Sequence, residues 1–313
     1  MNVLVRCDSS NVIGTGHVMR CLNYCDNMEN NSINFVFLCR NFRNNISGKI
    51  VERGYKLILL EYTKEPELNN YKSWLGVEEK DEIRDLRKLK NDYDEIIIDH
   101  YGIDFKIEKE IKYKKITIIN ELYFRHYCDV YINFMCEDIE RARRLNLKGE
   151  TVYRIGMENL IINKKFQGIK KILQDRKGKI CIMMGGADPE NYTMKVIDKI
   201  DRIIKEEKIE VFVILGKSNI HLEEIQRKID ENYKILVDLC YEDLIKIYMD
   251  CDLCIGSLSV SAYERLYINM EQICLCIAEN QKIVKRKEFN ICDLEELEII
   301  FSFHLHNNIQ RIV

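Results

Sequence analysis

The segment Arg6-Cys7-Asp8-Ser9-Ser10-Asn11-Val12-Ile13-Gly14-Thr15-Gly16-His17-Val18-Met19-Arg20 gathers two arginines, an aspartate and a histidine around a short glycine loop. An apolar β-type run precedes it and a helical pattern follows. Glycines at such a turn let the backbone approach a ligand, and the free amides that open a helix favour an anion. His17 falls in the first turn of that helix, where the positive helix end favours the neutral ring, able to take a proton. Arg6, Asp8 and Arg20 around Gly14, Thr15, Gly16 and His17 make this a candidate site. The same residues also suit a tight strand–helix turn with a capping histidine. Met19 stands where a dinucleotide fingerprint needs its third glycine, and no Gly-Lys-Ser/Thr follows, so dinucleotide and P-loop readings find little support.

Three more polar clusters close apolar runs. Asp99-His100-Tyr101-Gly102 puts an acid and a second histidine at a strand end; a turn with Asp99 bonded to backbone amides is the alternative. Met183-Met184-Gly185-Gly186-Ala187-Asp188-Pro189-Glu190-Asn191 reads as strand, glycine turn and helix start, able to admit a sugar or phosphate, or simply to turn the chain. Gly256-Ser257-Leu258-Ser259-Val260-Ser261-Ala262-Tyr263-Glu264-Arg265 leads serine hydroxyls into a helix. Hydroxyls and helix amides suit a pyrophosphate, and a carboxylate one turn on, Glu264, can accept from both ribose hydroxyls. The alternative is a capped helix with a solvated Glu264–Arg265 surface.

Metal chemistry has poor support. Cys251-Asp252-Leu253-Cys254 has no second pair of the same spacing, and Cys274, Cys276, His304 and His306 could join it only through the fold. No metal site and no cofactor are expected, and no nucleophile-elbow serine appears. The 13 cysteines are odd in number and sit largely in apolar runs, which fits buried thiols in a reducing compartment. A net charge of −3, from 48 basic and 51 acidic residues closely interspersed, argues against a general nucleic-acid partner. No apolar run reaches membrane-spanning length and the start lacks a signal-peptide pattern, so a cytoplasmic protein without membrane insertion is expected. Oligomeric state is not legible.

These clusters need elements to carry them. Strand patterns at Asn2–Cys7, Ile33–Cys39, Tyr55–Leu60, Glu95–Ile98, Lys115–Asn120 and Val130–Asn133 alternate with helical runs at Val18–Met28 and Glu78–Lys90. The alternation breaks between Gly156 and Asp175 and then restarts. Strands at Lys179–Met184, Glu210–Leu215, Lys234–Val237, Leu253–Ile255 and Gln272–Ala278 are separated by helices at Thr193–Lys205, Leu222–Asn232, Glu242–Asp250 and Ser261–Ile268. Such βαβ repetition predicts an α/β protein of two Rossmann-like domains, residues 1–160 and 161–283, with a tail over 284–313. In open α/β sheets ligands bind beyond the carboxyl ends of strands, where these clusters lie.

Taken in order, several strings resemble one family. They are Arg6–Ser10 with Ile13–Arg20, then Ile96-Ile97-Ile98-Asp99-His100-Tyr101-Gly102, His126-Tyr127-Cys128-Asp129, Met184–Pro189, Ser218-Asn219 and Ala278-Glu279-Asn280-Gln281. The family is the UDP-2,4-diacetamido-2,4,6-trideoxy-β-L-altropyranose hydrolases of pseudaminic acid biosynthesis, which are similar to enzymes of the glycosyltransferase B class. The resemblance implies two Rossmann-like domains facing a cleft, with the nucleotide mainly on the C-terminal one. It implies metal-independent hydrolysis in which water attacks the anomeric carbon and UDP leaves. His17 takes the position of the family's catalytic histidine and Glu264 that of the ribose-binding glutamate of related transferases. Substrate contacts are then expected from Arg6, Asp8, Gly14, Thr15, Gly16, Arg20, Asp99, His100 and Tyr101 in the first half. In the second half they are expected from Gly185, Gly186, Asn191, Ser259, Ser261, Tyr263 and Glu264. Helix starts at Gly185–Asn191 and Ser259–Ala262 would hold the diphosphate, and Asp8 or Asp99 would orient His17 or bind the acetamido sugar.

The chain departs from the family pattern at three places. Asn120-Glu121 stands for a common Asp-Asp pair, Ser257-Leu258-Ser259 for a glycine-rich loop, and Asn269-Met270-Glu271 for a Gly-Leu-Pro. Two other readings remain: a glycosyltransferase of the same fold using a UDP-sugar donor, and a non-catalytic nucleotide-sugar-binding protein.

Overall fold

A computed structural model describes residues 1–28, 32–172, 177–277, 281 and 289–307. The chain separates into two units, Met1–Lys164 and Lys165–Val313.

The first unit runs β1 (Asn2–Cys7), α1 (Gly16–Asn27), β2 (Asn34–Arg40), α2 (Gly48–Glu52), β3 (Lys56–Leu60), a 3-10 turn at Tyr71–Leu75 and α3 (Glu79–Leu89). It continues with β4 (Glu95–Asp99), α4 (Phe105–Ile111), β5 (Ile116–Ile119), β6 (Val130–Asn133), α5 (Ile139–Leu145) and β7 (Val152–Ile155). The seven strands form one sheet in the order β3-β2-β1-β4-β5-β6-β7, parallel throughout. Helices cover both faces, so the central strands are continuously apolar rather than alternating; all five residues of β4 are buried. Leu4, Leu38, Ile96 and Ile98 enter the core on one face, while Val3, Val5, Phe37 and Ile97 enter the core on the other. The chain leaves β1 toward β2 and β3, then returns to place β4 on β1's other side. The strand order therefore reverses between β1 and β4, and the register sets Cys7 beside Asp99.

The second unit repeats the plan with β8 (Lys179–Met183), α6 (Tyr192–Glu207), β9 (Glu210–Leu215), α7 (Leu222–Lys228), β10 (Tyr233–Val237) and α8 (Tyr241–Asp250). Then come β11 (Leu253–Ser257), α9 (Val260–Tyr267), β12 (Gln272–Leu275), β13 (Asn290–Cys292) and α10 (Leu297–Asn307). The sheet order is β10-β9-β8-β11-β12-β13, again parallel. Its reversal lies between β8 and β11.

The structure adds elements that the sequence pattern does not mark. β7 is a half-exposed edge strand, and β13 is only 3 residues long, so neither carries an apolar run. Residues 290–307, read as tail from the sequence, complete the second unit: Leu297 and Phe301 are fully buried and join its core. The helix from Leu222 stops at Lys228 rather than Asn232. The strand from Gln272 ends at Leu275; Ala278-Glu279-Asn280 lies outside the described residues. All 13 cysteines are free thiols, with Cys240 exposed and Cys276 half-buried. Among the described residues no helix is long and apolar enough to cross a membrane.

Candidate active site

Each sheet carries its polar residues at its own reversal point, where the loops after two central strands part in opposite directions and leave room for a ligand. In the first unit, β1 delivers Asp8, β4 delivers Asp99 and His100, and α1 carries His17 and Arg20 back toward them. Gly14 makes the turn: its φ is +80°, a left-handed conformation favoured by glycine, and its amide closes on the Ser10 carbonyl at 2.8 Å. Ser10 Oγ accepts from the amides of Val12 and Ile13.

His17 Nδ1 lies 2.6 Å from Asp99 Oδ1. Arg20 grips the same carboxylate with two bonds, Nε to Oδ2 at 2.6 Å and Nη2 to Oδ1 at 2.7 Å. Burial pushes the Asp99 carboxyl up, but Arg20 and then His17 outweigh it and hold it at about 2. Asp99 is therefore an anion, and His17 Nδ1 must donate to it. That fixes the tautomer and leaves Nε2 with its lone pair and no partner among the described residues. The Cys21 thiol, pushed up by burial to about 11, also leans on Asp99 Oδ2 at 3.9 Å. On its far side Arg20 meets Glu121 Oε1 at 2.6 Å, and Glu121 Oε2 accepts from the Tyr101 hydroxyl at 2.9 Å.

Aromatic rings wall the histidine. Tyr101 meets it edge-on at 4.5 Å between centroids and Trp74 at 6.0 Å. Tyr101 and Trp74 stack at 5.7 Å, and Ile13, Phe42 and Leu122 complete a small separate core there. His17 is 5% exposed. Water that reaches Nε2 would sit in a largely apolar recess beside one fixed ion cluster.

A second buried network lies on the same strands. Asp8 accepts from Arg6 at 2.7 Å and from the Arg40 amide at 2.6 Å, and it pairs with His100 Nε2 at 3.1 Å. Arg6 also holds Glu82 at 2.7 Å, which Arg40 grips as well. His100 Nδ1 accepts from the Gly102 amide at 3.0 Å, so Nε2 carries the proton donated to Asp8. Burial lowers the His100 ring despite the Asp8 bond. The sequence reading grouped Arg6, Asp8 and His100 as substrate contacts; the structure turns them inward instead. Arg6 and Asp8 have no exposed surface, and both His100 nitrogens are engaged. Tyr101 is likewise 4% exposed with its hydroxyl spent on Glu121. Of the two acids proposed to orient His17, the structure puts Asp99 there and gives Asp8 to His100.

In the second unit the loops after β8 and β11 are neighbours. A Cβ on Gly185 would stand 3.9 Å from Ser257 Oγ. Ser257 Oγ donates to Ser259 Oγ at 3.0 Å, which lies 3.0 Å from Ser261 Oγ. Ser259 precedes α9 without forming a side-chain cap. Behind this loop Arg265 is fully buried; it donates to Gln272 Oε1 at 2.8 Å and to the Ser257 carbonyl at 3.3 Å. Among the described residues its Nη1 makes no hydrogen bond and no carboxylate forms an ion pair with it; the groups that answer its charge are the Cys254, Tyr248 and Cys274 side chains, so a cation lies beneath the serines. The alternative reading, a capped helix with a solvated Glu264–Arg265 surface, does not hold, because both residues are buried; the burial of Arg265 is decided by β12, which supplies Gln272.

Other expected contacts are corrected. The start of α6 is already occupied: Asp188 accepts from the Tyr192 and Thr193 amides at 2.8 and 2.9 Å, and Asn191 caps Met194 at 3.3 Å while donating to Glu224. A carboxylate on those amides opposes a diphosphate, so Asn191 and this helix start do not make the anion site. Gly186 is packed under Gly216, where an added Cβ would fall 2.2 Å from the Gly186 carbonyl oxygen. Tyr263 is a core residue, edge-on to Phe289 at 5.1 Å; Glu264, 4% exposed, is not among the corrected contacts. Among the described residues no group of three metal-ligating side chains gathers. Trp74 and Glu121, which the structure sets beside His17 and Arg20, are not among the residues the sequence singles out for the site. Trp74 is the single tryptophan of the chain, and Glu121 was visible only as a departure from the family pattern.

No family model matches the chain. A solved structure of Acinetobacter baumannii MurG superposes with a TM-score of 0.60 at 12% identity, covering 98% of this chain and 91% of that one. A UDP-GlcNAc 2-epimerase from Neisseria meningitidis, bound to UDP-GlcNAc, gives 0.57 at 12% identity over 100% and 93%. The fold is glycosyltransferase B. In sequence, a UDP-2,4-diacetamido-2,4,6-trideoxy-beta-L-altropyranose hydrolase of Campylobacter jejuni is 27% identical over 291 residues, 90% of this chain and 94% of the relative. The resemblance carried by the motifs thus extends to an alignment over most of both chains. An uncharacterized protein of Methanocaldococcus jannaschii is 23% identical over 299 residues, but the chain spans only 57% of its length.

Proposed function

We propose that this chain hydrolyses UDP-2,4-diacetamido-2,4,6-trideoxy-β-L-altropyranose, or a close stereoisomer, by attack of water on the anomeric carbon. The observation that carries this reading is the His17–Asp99 pair: a histidine locked in the tautomer that leaves Nε2 free to accept a proton. The 27% identity to the Campylobacter hydrolase supports the substrate class.

In the reaction, water oxygen bonds to the anomeric carbon as the bond from that carbon to the UDP oxygen breaks. His17 Nε2 takes the water proton and later returns it to solvent. UDP leaves as the anion, which needs little protonation once its charge is held, so electrostatic stabilisation is the larger contribution. Ser259, Ser261, the start of α9 and the buried charge of Arg265 are suited to that task, and Glu264 to the ribose. Attack opposite the leaving group gives inversion. The reaction is proposed to need no metal or other cofactor and to take place in the cytoplasm.

The test is turnover of the UDP-sugar in 18O-enriched water, without acceptor and with a chelator present. Label in the released sugar, with none in UDP, is expected. Label in UDP would mean attack at phosphorus, and UDP release only on adding an acceptor sugar would make the protein a transferase. UDP binding with no turnover in either case would leave a nucleotide-sugar-binding protein.

A further inference from the structure

We propose that Glu121 is a positioning residue for the His17 base, acting through Arg20 rather than touching substrate; the idea rests on the reading of His17 as base. Arg20 is bidentate on Asp99 and meets Glu121 with its remaining nitrogen at 2.6 Å. The Arg20 and Asp99 charges cancel. The negative charge that answers a proton on His17 is therefore the one on Glu121, relayed by the guanidinium. When His17 takes the water proton, the group of four, His17, Asp99, Arg20 and the half-buried Glu121, becomes neutral overall. Without the Glu121 charge, the same step would leave a net positive charge in a recess walled by Trp74 and Tyr101, which low polarity penalises.

The loop that carries Glu121 is built to hold it. Asn120 Oδ1 accepts from the Leu122 amide at 2.7 Å, which turns its Nδ2 toward His126 Nε2 at 2.5 Å. His126 must then donate from Nδ1 to Glu108 of α4 at 2.6 Å. The Tyr101 hydroxyl fixes the second Glu121 oxygen. The titratable groups facing His17 and its partners are Asp99 of β4, Arg20 and Cys21 of α1, Tyr101 after β4 and Glu121 after β5; Trp74 is the neutral wall. The Glu121 side chain is 19% exposed, so Glu121→Gln changes charge at nearly constant shape.

The experiment follows the imidazole nitrogens by NMR in protein labelled with 15N-histidine, with His17→Asn used to assign the His17 signals. In Glu121→Gln the protonation of the His17 ring is expected to move to lower pH by about one unit. Glu121→Ala should move it the same way, and Glu121→Asp, which keeps the charge, should stay nearer the wild type. His100, which has no contact with Glu121, should titrate as before and reports that the fold is intact. An unchanged His17 ring in folded Glu121→Gln or Glu121→Ala overturns the proposal. Where wild type turns over the UDP-sugar, the acid limb of kcat in Glu121→Gln should shift with the ring while KM holds. If wild type shows no turnover, the hydrolase reading fails, and the ring titration still decides the role of Glu121.

Discussion

Asp99 Oδ1 stands 2.6 Å from His17 Nδ1 while Arg20 holds both oxygens of the same carboxylate. One acid thus orients the base and neutralises the cation that fixes the acid. Because these bonds are buried and mutually dependent, changes at this point have consequences that can be separated by measurement.

Replacing His17 by Asn removes the free nitrogen and retains a polar group of similar size. Turnover should fall by at least about a hundredfold, the usual range for a lost general base. UDP affinity should be retained, since the proposed nucleotide contacts are in the other unit. Product release and calorimetric UDP binding, measured on one preparation, check both; wild-type-like turnover would sink the mechanism.

Asp99→Asn is expected to act twice. An amide accepts less strongly and can present its own N–H toward His17, which loosens the tautomer; the drop in kcat should be of the order of a thousandfold. It also leaves Arg20 buried with Glu121 as its only anionic partner, at a cost of about 3 kcal/mol in folding stability. Chemical denaturation beside the kinetics distinguishes the two effects, and a variant as stable as wild type would contradict the burial argument.

Stability should be acid-sensitive in two stages. Burial lowers the His100 ring, so the unfolded chain takes that proton first and stability declines as pH falls below about 6.5. Asp99 is held at about 2. Burial would raise Asp8 and Glu82, yet the arginines, joined at Asp8 by His100, outweigh it and lower both. The contribution of these acids is complete above about pH 4 and is lost as pH falls toward their folded values. Melting temperature against pH should therefore slope gently below about 6.5 and steeply below about 4; a flat profile down to about pH 3 would refute it.

Gly216→Ala tests the second unit. Its Cβ would meet the Gly186 carbonyl oxygen at 2.2 Å and backbone carbon at 2.6 Å, and backbone cannot rotate away as a side chain can. A loss of about 2–3 kcal/mol is expected in denaturant titrations. UDP binding should weaken as the loop after β8 shifts, and unchanged stability would show that the two loops are not in contact.

The sequence by itself determined the alternation of strands and helices, the parallel character of both sheets and the position of His17, because buried parallel strands are short apolar runs and glycine turns punctuate them. It placed β1 from Asn2 to Cys7 and β6 from Val130 to Asn133 as the structure has them. It could not decide strand order. Only the folded chain puts β4 beside β1 and β11 beside β8, bringing Asp99 to His17 across 82 positions and Ser257 to Gly185. It also could not tell an arginine facing solvent from one facing a carboxylate. Arg6, Arg20 and Arg265 look alike in the chain, yet Glu82 and Asp99, 76 and 79 positions away, and Gln272 on the strand that follows α9 draw each of them inside. Local pattern reports which residues will be buried when they are apolar; for charged residues the partner decides, and tertiary structure supplies the partner.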